Sequence, residues 1–97
     1  MKQAEFRFWV DAETGEAHIY RHGVTEAEVE EVFDFGVEVH TGRGDTRVLE
    51  GPTAAGQVLR VVYLPEPDAD AVFVITAYRL EGKALQSYQK RRRKRSR

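Results

Sequence analysis

Apolar and polar residues alternate from the start of the chain. Over residues 4–10, Phe6, Phe8 and Val10 fall on one side, with Glu5, Arg7 and Trp9 on the other. That period of two is the pattern of a half-buried strand. Asp11 stands where an N-cap would, predicting a short helix to about His22 that Gly23 terminates, although Gly15 weakens its first turn. The next boundary is sharper. Thr25 and Glu28 have the spacing of a capping box, and Val24 and Val29 that of a hydrophobic staple. Glu26, Glu28, Glu30 and Glu31 crowd the helix start, where its dipole favours negative charge. Ala27, Val29, Val32 and Phe33 make the apolar stripe, and Gly36 ends the helix.

After Gly36 the period changes. Residues 37–41, 46–50, 58–64 and 71–78 read as four strands, separated by GRGD, GPTAAG and PEPDAD, all rich in turn formers. LRVVYL and AVFVITAY are nearly all apolar, which marks them as central strands covered by helices. A final helix runs from residue 81 to about residue 93, with Leu80, Ala84, Leu85 and Tyr88 as its inner face. The predicted order is β-α-α-β-β-β-β-α, an α+β domain whose helices pack on a mostly antiparallel sheet.

Composition narrows the functional classes. Ninety-seven residues, 41% of them apolar, make one globular domain. The longest apolar run is far short of the roughly 20 residues that span a bilayer. The first ten residues lack the features of a signal peptide, so a cytoplasmic protein is expected. With no cysteine there is no disulfide framework, thiolate nucleophile or cysteine-based zinc site.

The net charge of -1 conceals a polarised chain. Residues 1–89, read as the domain, hold all 16 carboxylates. The segment 90–97, KRRRKRSR, reads as a basic C-terminal tail. Such asymmetry suits a polyanion or an acidic partner; it equally suits a solvated end that neutralises an acidic body.

The chemistry-bearing residues are few. His18 and His22, four apart, share a helix face, but two histidines without a companion motif such as HExxH fall short of a zinc site. The competing reading has His18 partly exposed and His22 at a helix C-terminus, where a cation is favoured. GRGD is a glycine-bracketed turn, and residues 51–56 lack the lysine of a phosphate-binding loop. The only serines, Ser87 and Ser96, lie in the basic stretch and support no triad. No metal and no cofactor are expected. What remains is a cationic and phenolic set on the sheet and last helix: Arg47, Arg60, Tyr63, Tyr78, Arg79, Lys83 and Tyr88. Arginines at strand ends suit bidentate phosphate binding. Metal-free RNA cleavage needs such cations on the phosphorane, a base for the 2′-hydroxyl and an acid for the leaving oxygen. His22 fits one of those roles, with Tyr78 or Tyr88 helping to position the substrate. The structural alternative is that these arginines pair with carboxylates and the tyrosines finish the core.

RHGV at 21–24 before the EVEEVF helix, then TRVLEG, G-x-x-LRVVY and VITAYRLEGKALQSYQKR, resembles the BrnT-type toxins of the RelE/ParE superfamily. A related group of small domains shares much of the pattern. The resemblance runs from Phe8 or Trp9 to about Lys90. It implies a RelE-like fold, a ribonuclease activity that blocks translation as the toxin of a type II toxin-antitoxin system, and a cognate antitoxin with a ribbon-helix-helix domain. His22 and Gly23 match the family's KHG motif, with Arg21 in place of lysine; Arg47 matches the arginine of the second hairpin strand, and Tyr88 the tyrosine of the last helix. The family's arginine after the last core strand is replaced by Tyr78, with Arg79 one place on, and its helix glutamate by Ala84. The expected catalytic set is therefore His22, Arg47, Arg79 and Tyr88. The expected nucleic-acid contacts are Arg60, Lys83, Lys90, Arg91, Arg92, Arg93, Lys94 and Arg95. The alternative is a non-catalytic relative that binds protein or nucleic acid through its basic tail. An exposed edge strand would offer a homodimer interface, and no membrane is expected.

Overall fold

The computed structural model describes residues 5–41 and 44–95. Residue 4 of the expected first strand, two residues of the GRGD turn and Ser96 lie outside the described residues, as do the side chains of His40, Lys94 and Arg95. The chain is an α+β domain built on one mixed five-stranded sheet with two α-helices. The strands are β1 (Glu5–Phe8), β2 (Val37–Thr41), β3 (Arg47–Pro52), β4 (Val58–Glu66) and β5 (Ala71–Arg79). The helices are α1 (Glu26–Phe35) and α2 (Gly82–Arg95). Across the sheet the order is β1-β5-β4-β3-β2. β1 runs parallel to β5, and the other neighbours are antiparallel. The two most apolar strands, β4 and β5, are internal, as their composition predicts.

The expected first helix is absent. Residues 11–16 turn the chain back, so that Val10 bridges Ala17 and the His18 amide donates to the Trp9 carbonyl at 2.8 Å. Gly15 takes a left-handed φ of 73° in this turn. Asp11 does not cap a helix. Its carboxylate takes the side chains of His18 and Arg21 instead. Only the 3₁₀ turn His18–His22 follows, closed by Gly23 at φ 72°. The predicted order is therefore corrected at its second element, which contributes no α-helix.

α1 forms as its sequence predicts. The Glu28 amide donates to Thr25 Oγ1 at 3.1 Å, and the Thr25 amide donates to Glu28 Oε1 at 2.9 Å. Val24 and Val29 are buried beside them. At the far end, a Cβ on Gly51 would lie 2.5 Å from the Gly36 Cα. The paired glycines let β3 pass against the end of α1 and hold the connection into β2.

α1 covers one face of the sheet, and α2 covers part of the other. The α1 face carries Leu49, Leu59, Val61, Tyr63, Val74 and Ala77, which form one core with Ile19, Val24, Val29 and Val32. Phe6, Phe33 and Tyr63 extend it, with ring centroids 5.1 and 4.9 Å apart. The opposite face carries Val48, Glu50, Arg60, Val62 and Tyr78, and α2 lies over part of it with Tyr88 buried.

One irregularity in β5 positions the site. Val62 pairs with Thr76 but Tyr63 pairs with Val74, so Ile75 is an extra residue, a bulge. Strict alternation from the buried Val74 would put Tyr78 on the α1 face. The bulge inverts the phase, so Ala77 and Arg79 share the face of Val74, and Tyr78 turns to the α2 face. No described helix is long and apolar enough to cross a membrane.

Candidate functional site

At the α2 face, three adjacent strands place three polar side chains in one row. Glu50 on β3 pairs with Arg60 on β4, and Arg60 pairs with Tyr78 on β5. Arg60 Nε and Nη2 each lie 2.6 Å from Glu50 Oε2. Its Nη1 donates to the Tyr78 hydroxyl at 3.4 Å, and its guanidinium carbon lies 6.0 Å from the Tyr78 ring centroid. Beyond β5 the row continues into the 3₁₀ turn. The Tyr78 and His22 rings meet edge-on at 6.0 Å, and those of His22 and His18 at 5.2 Å. It ends on Asp11, whose Oδ1 lies 3.1 Å from His18 Nδ1.

Each end of the row is anionic. Glu50 is 1% exposed and receives Arg91 of α2 on its other oxygen. Burial acts to lower the Arg60 pKa, but its bonds to Tyr78 and Glu50 outweigh it, and the group is held above its ordinary value. At the other end, burial pushes Asp11 up, while hydrogen bonds from His18 and Arg21 outweigh it and hold the carboxyl below its usual range. Arg21 Nε sits 2.7 Å from Asp11 Oδ2, and Nη2 sits 2.6 Å from Glu13 Oε1.

Tyr78 and Arg79 leave β5 on opposite faces and flank the His22–Gly23 step. Tyr78 meets the His22 ring. A Cβ on Gly23 would lie 4.0 Å from Arg79 Nη1, and Arg79 Nε donates to Gln57 Oε1. His22 and Arg79 are exposed, so a ligand can reach both.

The sequence-predicted residues are thus divided. His22 meets Tyr78 on one face, while Arg79 lies near Gly23 on the other. Arg47 does not join them: it pairs across from Tyr63, whereas Arg79 pairs across from Leu59. Four residues along β4, about 13 Å, and two strand spacings of about 4.8 Å each separate them. Arg47 instead lies 3.4 Å from Glu38, which also accepts from the Tyr63 hydroxyl at 3.3 Å. Burial first, then the Glu38 charge, raises the Tyr63 pKa. Tyr88 is buried under α2, three residues from Arg91 and on the same helix face. Arg60 and Arg91 are both engaged by Glu50. Lys83, Lys90, Arg92 and Arg93 are exposed on α2, which continues to Arg95, so the basic segment is largely helical. Among the described residues, no three His, Asp or Glu side chains gather as a metal site would require.

Sequence reasoning did not single out Glu50, and it weighed Tyr78 mainly as a departure from the family pattern. The available signal for Glu50 was a lone carboxylate within RVLEG that an arginine on the next strand could meet. Tyr78 stood among the phenolic candidates, but the face it takes was not legible, because the bulge is invisible without the pairing.

The profile of the domain of unknown function DUF4258 matches residues 17–79. The chain belongs to that family. The DUF4258 match spans the 3₁₀ turn, α1 and β2 to β5, and so includes His22, Glu50, Arg60, Tyr78 and Arg79. β1, Asp11 and α2 lie outside it. No curated protein and no solved structure matches the chain.

Proposed function

We propose that this DUF4258 chain is a metal-independent endoribonuclease, the toxin-like component of a type II toxin-antitoxin system with a RelE-like fold, acting in the cytoplasm. The observation that carries this is the placement of an imidazole and a phenol on one side of the His22–Gly23 step and a guanidinium on the other. RNA cleavage without a metal is an internal transfer. The 2′-oxygen attacks phosphorus, the bond to the 5′-oxygen breaks, and one proton moves from the 2′-hydroxyl to the leaving oxygen. The products are a cyclic phosphate and a 5′-hydroxyl, with no change of oxidation state. His22 is the candidate base, and Arg79 is the cation for the charge that grows on the non-bridging oxygens. Tyr78 is the acid that gives its proton to the leaving 5′-oxygen, and the proton taken by His22 returns to the phenolate through solvent. A guanidinium has no acceptor, so Arg60 makes the Tyr78 oxygen an acceptor and leaves the phenolic proton for a third group.

The charge layout supports the same reading. α1 and its acidic residues cover one face of the sheet, while α2 carries its lysines and arginines over the other. An RNA strand entering from the α2 side meets cations first. Translation arrest and a ribbon-helix-helix antitoxin belong to this proposal through the BrnT-like residues.

The test is cleavage of a short RNA by purified protein in the presence of a chelator, together with growth on expression. His22→Ala and Arg79→Ala should each slow cleavage by roughly 100-fold or more, while Arg47→Ala should leave it within about twofold because of its distance. Intact RNA and unaffected growth would sink the enzyme reading. A second reading, a non-catalytic nucleic-acid binder, is favoured by the pairing of Arg60, Arg91 and Arg47 with carboxylates. It expects salt-sensitive RNA binding and no cleavage.

A further inference from the structure

We propose that Glu50, a buried carboxylate on β3, is a positioning residue of the His22 site that acts through Arg60 to fix the direction in which Tyr78 donates its proton. The proposal rests on the reading of His22, Tyr78 and Arg79 as the reacting groups.

Alternation along β3 places Glu50. Its neighbour Leu49 faces the α1 core, and alternation turns Glu50 to the other face, where it is 1% exposed. A carboxylate in such a place needs hydrogen-bonding partners, because removal from water is costly. Here both oxygens are occupied: Oε2 by two nitrogens of Arg60 at 2.6 Å, and Oε1 by Arg91. The two-pronged grip on Oε2 defines the plane of the Arg60 guanidinium. Nη1 then holds its two N–H groups in that plane, and one of them donates to the Tyr78 hydroxyl at 3.4 Å.

A planar fork transmits direction in a way that a lysine ammonium cannot. Tyr78 accepts from Arg60, so its own hydrogen points away from that guanidinium, while the Tyr78 ring meets the His22 ring edge-on. Without Glu50, the 30%-exposed Arg60 side chain would be free to swing toward solvent. Tyr78 could then donate in any direction its torsion allowed.

The closing experiment uses the full chain with its tyrosines isotope-labelled at the ring carbon that bears the hydroxyl, whose NMR frequency follows hydrogen bonding to the phenolic oxygen. Tyr78→Phe identifies the Tyr78 signal. Glu50→Gln and Arg60→Lys should each move it, whereas Arg91→Met should leave it in place, since Arg60 still grips Oε2. Arg60→Lys, at a partly exposed position, keeps the test alive if Glu50→Gln does not fold. In cleavage assays Glu50→Gln should lower kcat by roughly 10- to 100-fold with KM little changed. It should cost nothing further in a Tyr78→Phe background. A Tyr78 signal that stays put in folded Glu50→Gln or Arg60→Lys protein would overturn the proposal. So would kcat losses that add fully to that of Tyr78→Phe. Failure of the unmodified chain to cut RNA would remove the ribonuclease reading, and the Tyr78 signal would still decide the positioning role.

Discussion

Replacing Arg91 by Met leaves the buried Glu50 carboxylate with one cation instead of two. Breaking a buried ion pair outright costs about 3–5 kcal/mol, chiefly because a charge is left uncompensated. Two features of this site reduce that figure. Arg60 remains on Oε2 through two contacts of 2.6 Å, and the Arg91 side chain is 48% exposed, so water screens half of the pair. Met retains most of the apolar stem that covers the sheet. The expected loss is about 1–2 kcal/mol, or a fall in Tm of roughly 5–15 °C for a domain of this size. Urea unfolding followed by circular dichroism measures it. Added salt should close little of the gap, because exposed pairs are screened far more than partly buried ones. Unfolding free energies equal within about 0.3 kcal/mol would refute the account of Glu50 as a carboxylate that needs both arginines. The same reasoning bears on truncation. Cutting the chain after residue 89 removes Arg91 along with the basic segment, so lost RNA binding in that variant would mix charge with stability. A cut after Arg92 separates them.

Two further outcomes follow from the same geometry. Gly51→Ala should destabilise by about 2–3 kcal/mol in urea unfolding, because its Cβ would lie 2.5 Å from the Gly36 Cα and both strands of backbone are fixed there; a cost below about 0.5 kcal/mol would show that the α1–β3 contact is loose. Asp11→Asn should destabilise the fold at neutral pH, since Asp11 is held below its ordinary value of 3.8. A depressed carboxyl contributes stability above that value and loses it as pH falls through the folded pKa. The two proteins should therefore converge in acid, and a gap that persisted at low pH would contradict the His18 and Arg21 contacts as its source.

Much of the architecture is legible along the chain, and the legible parts share a cause. The capping box at Thr25 and Glu28, the Val24–Val29 staple and the glycine stop at Gly23 depend on residues within five positions of one another. The apolar runs of β4 and β5 are long enough to mark internal strands whatever their partners. His22 and Gly23 could be picked out for the same reason, as a local step next to a readable helix start.

The remainder required the sheet to be assembled. Asp11 looks like a cap because caps are local, but the turn through Gly15 brings His18 and Arg21 onto its carboxylate, and those contacts displace the helix. Glu50 looks like a solvent-facing residue of an alternating strand until α2 and Arg60 close over it. The Tyr78 and Arg79 pair is the plainest case. Sequence alone establishes that they are adjacent and so point to opposite faces. Which face each takes depends on the bulge at Ile75, and a bulge is a property of how β5 pairs with β4. The one-residue displacement that separates this chain from the BrnT pattern was therefore decided by tertiary pairing: Tyr78 lies on the Glu50–Arg60 row, and Arg79 lies against Gly23 on the other side.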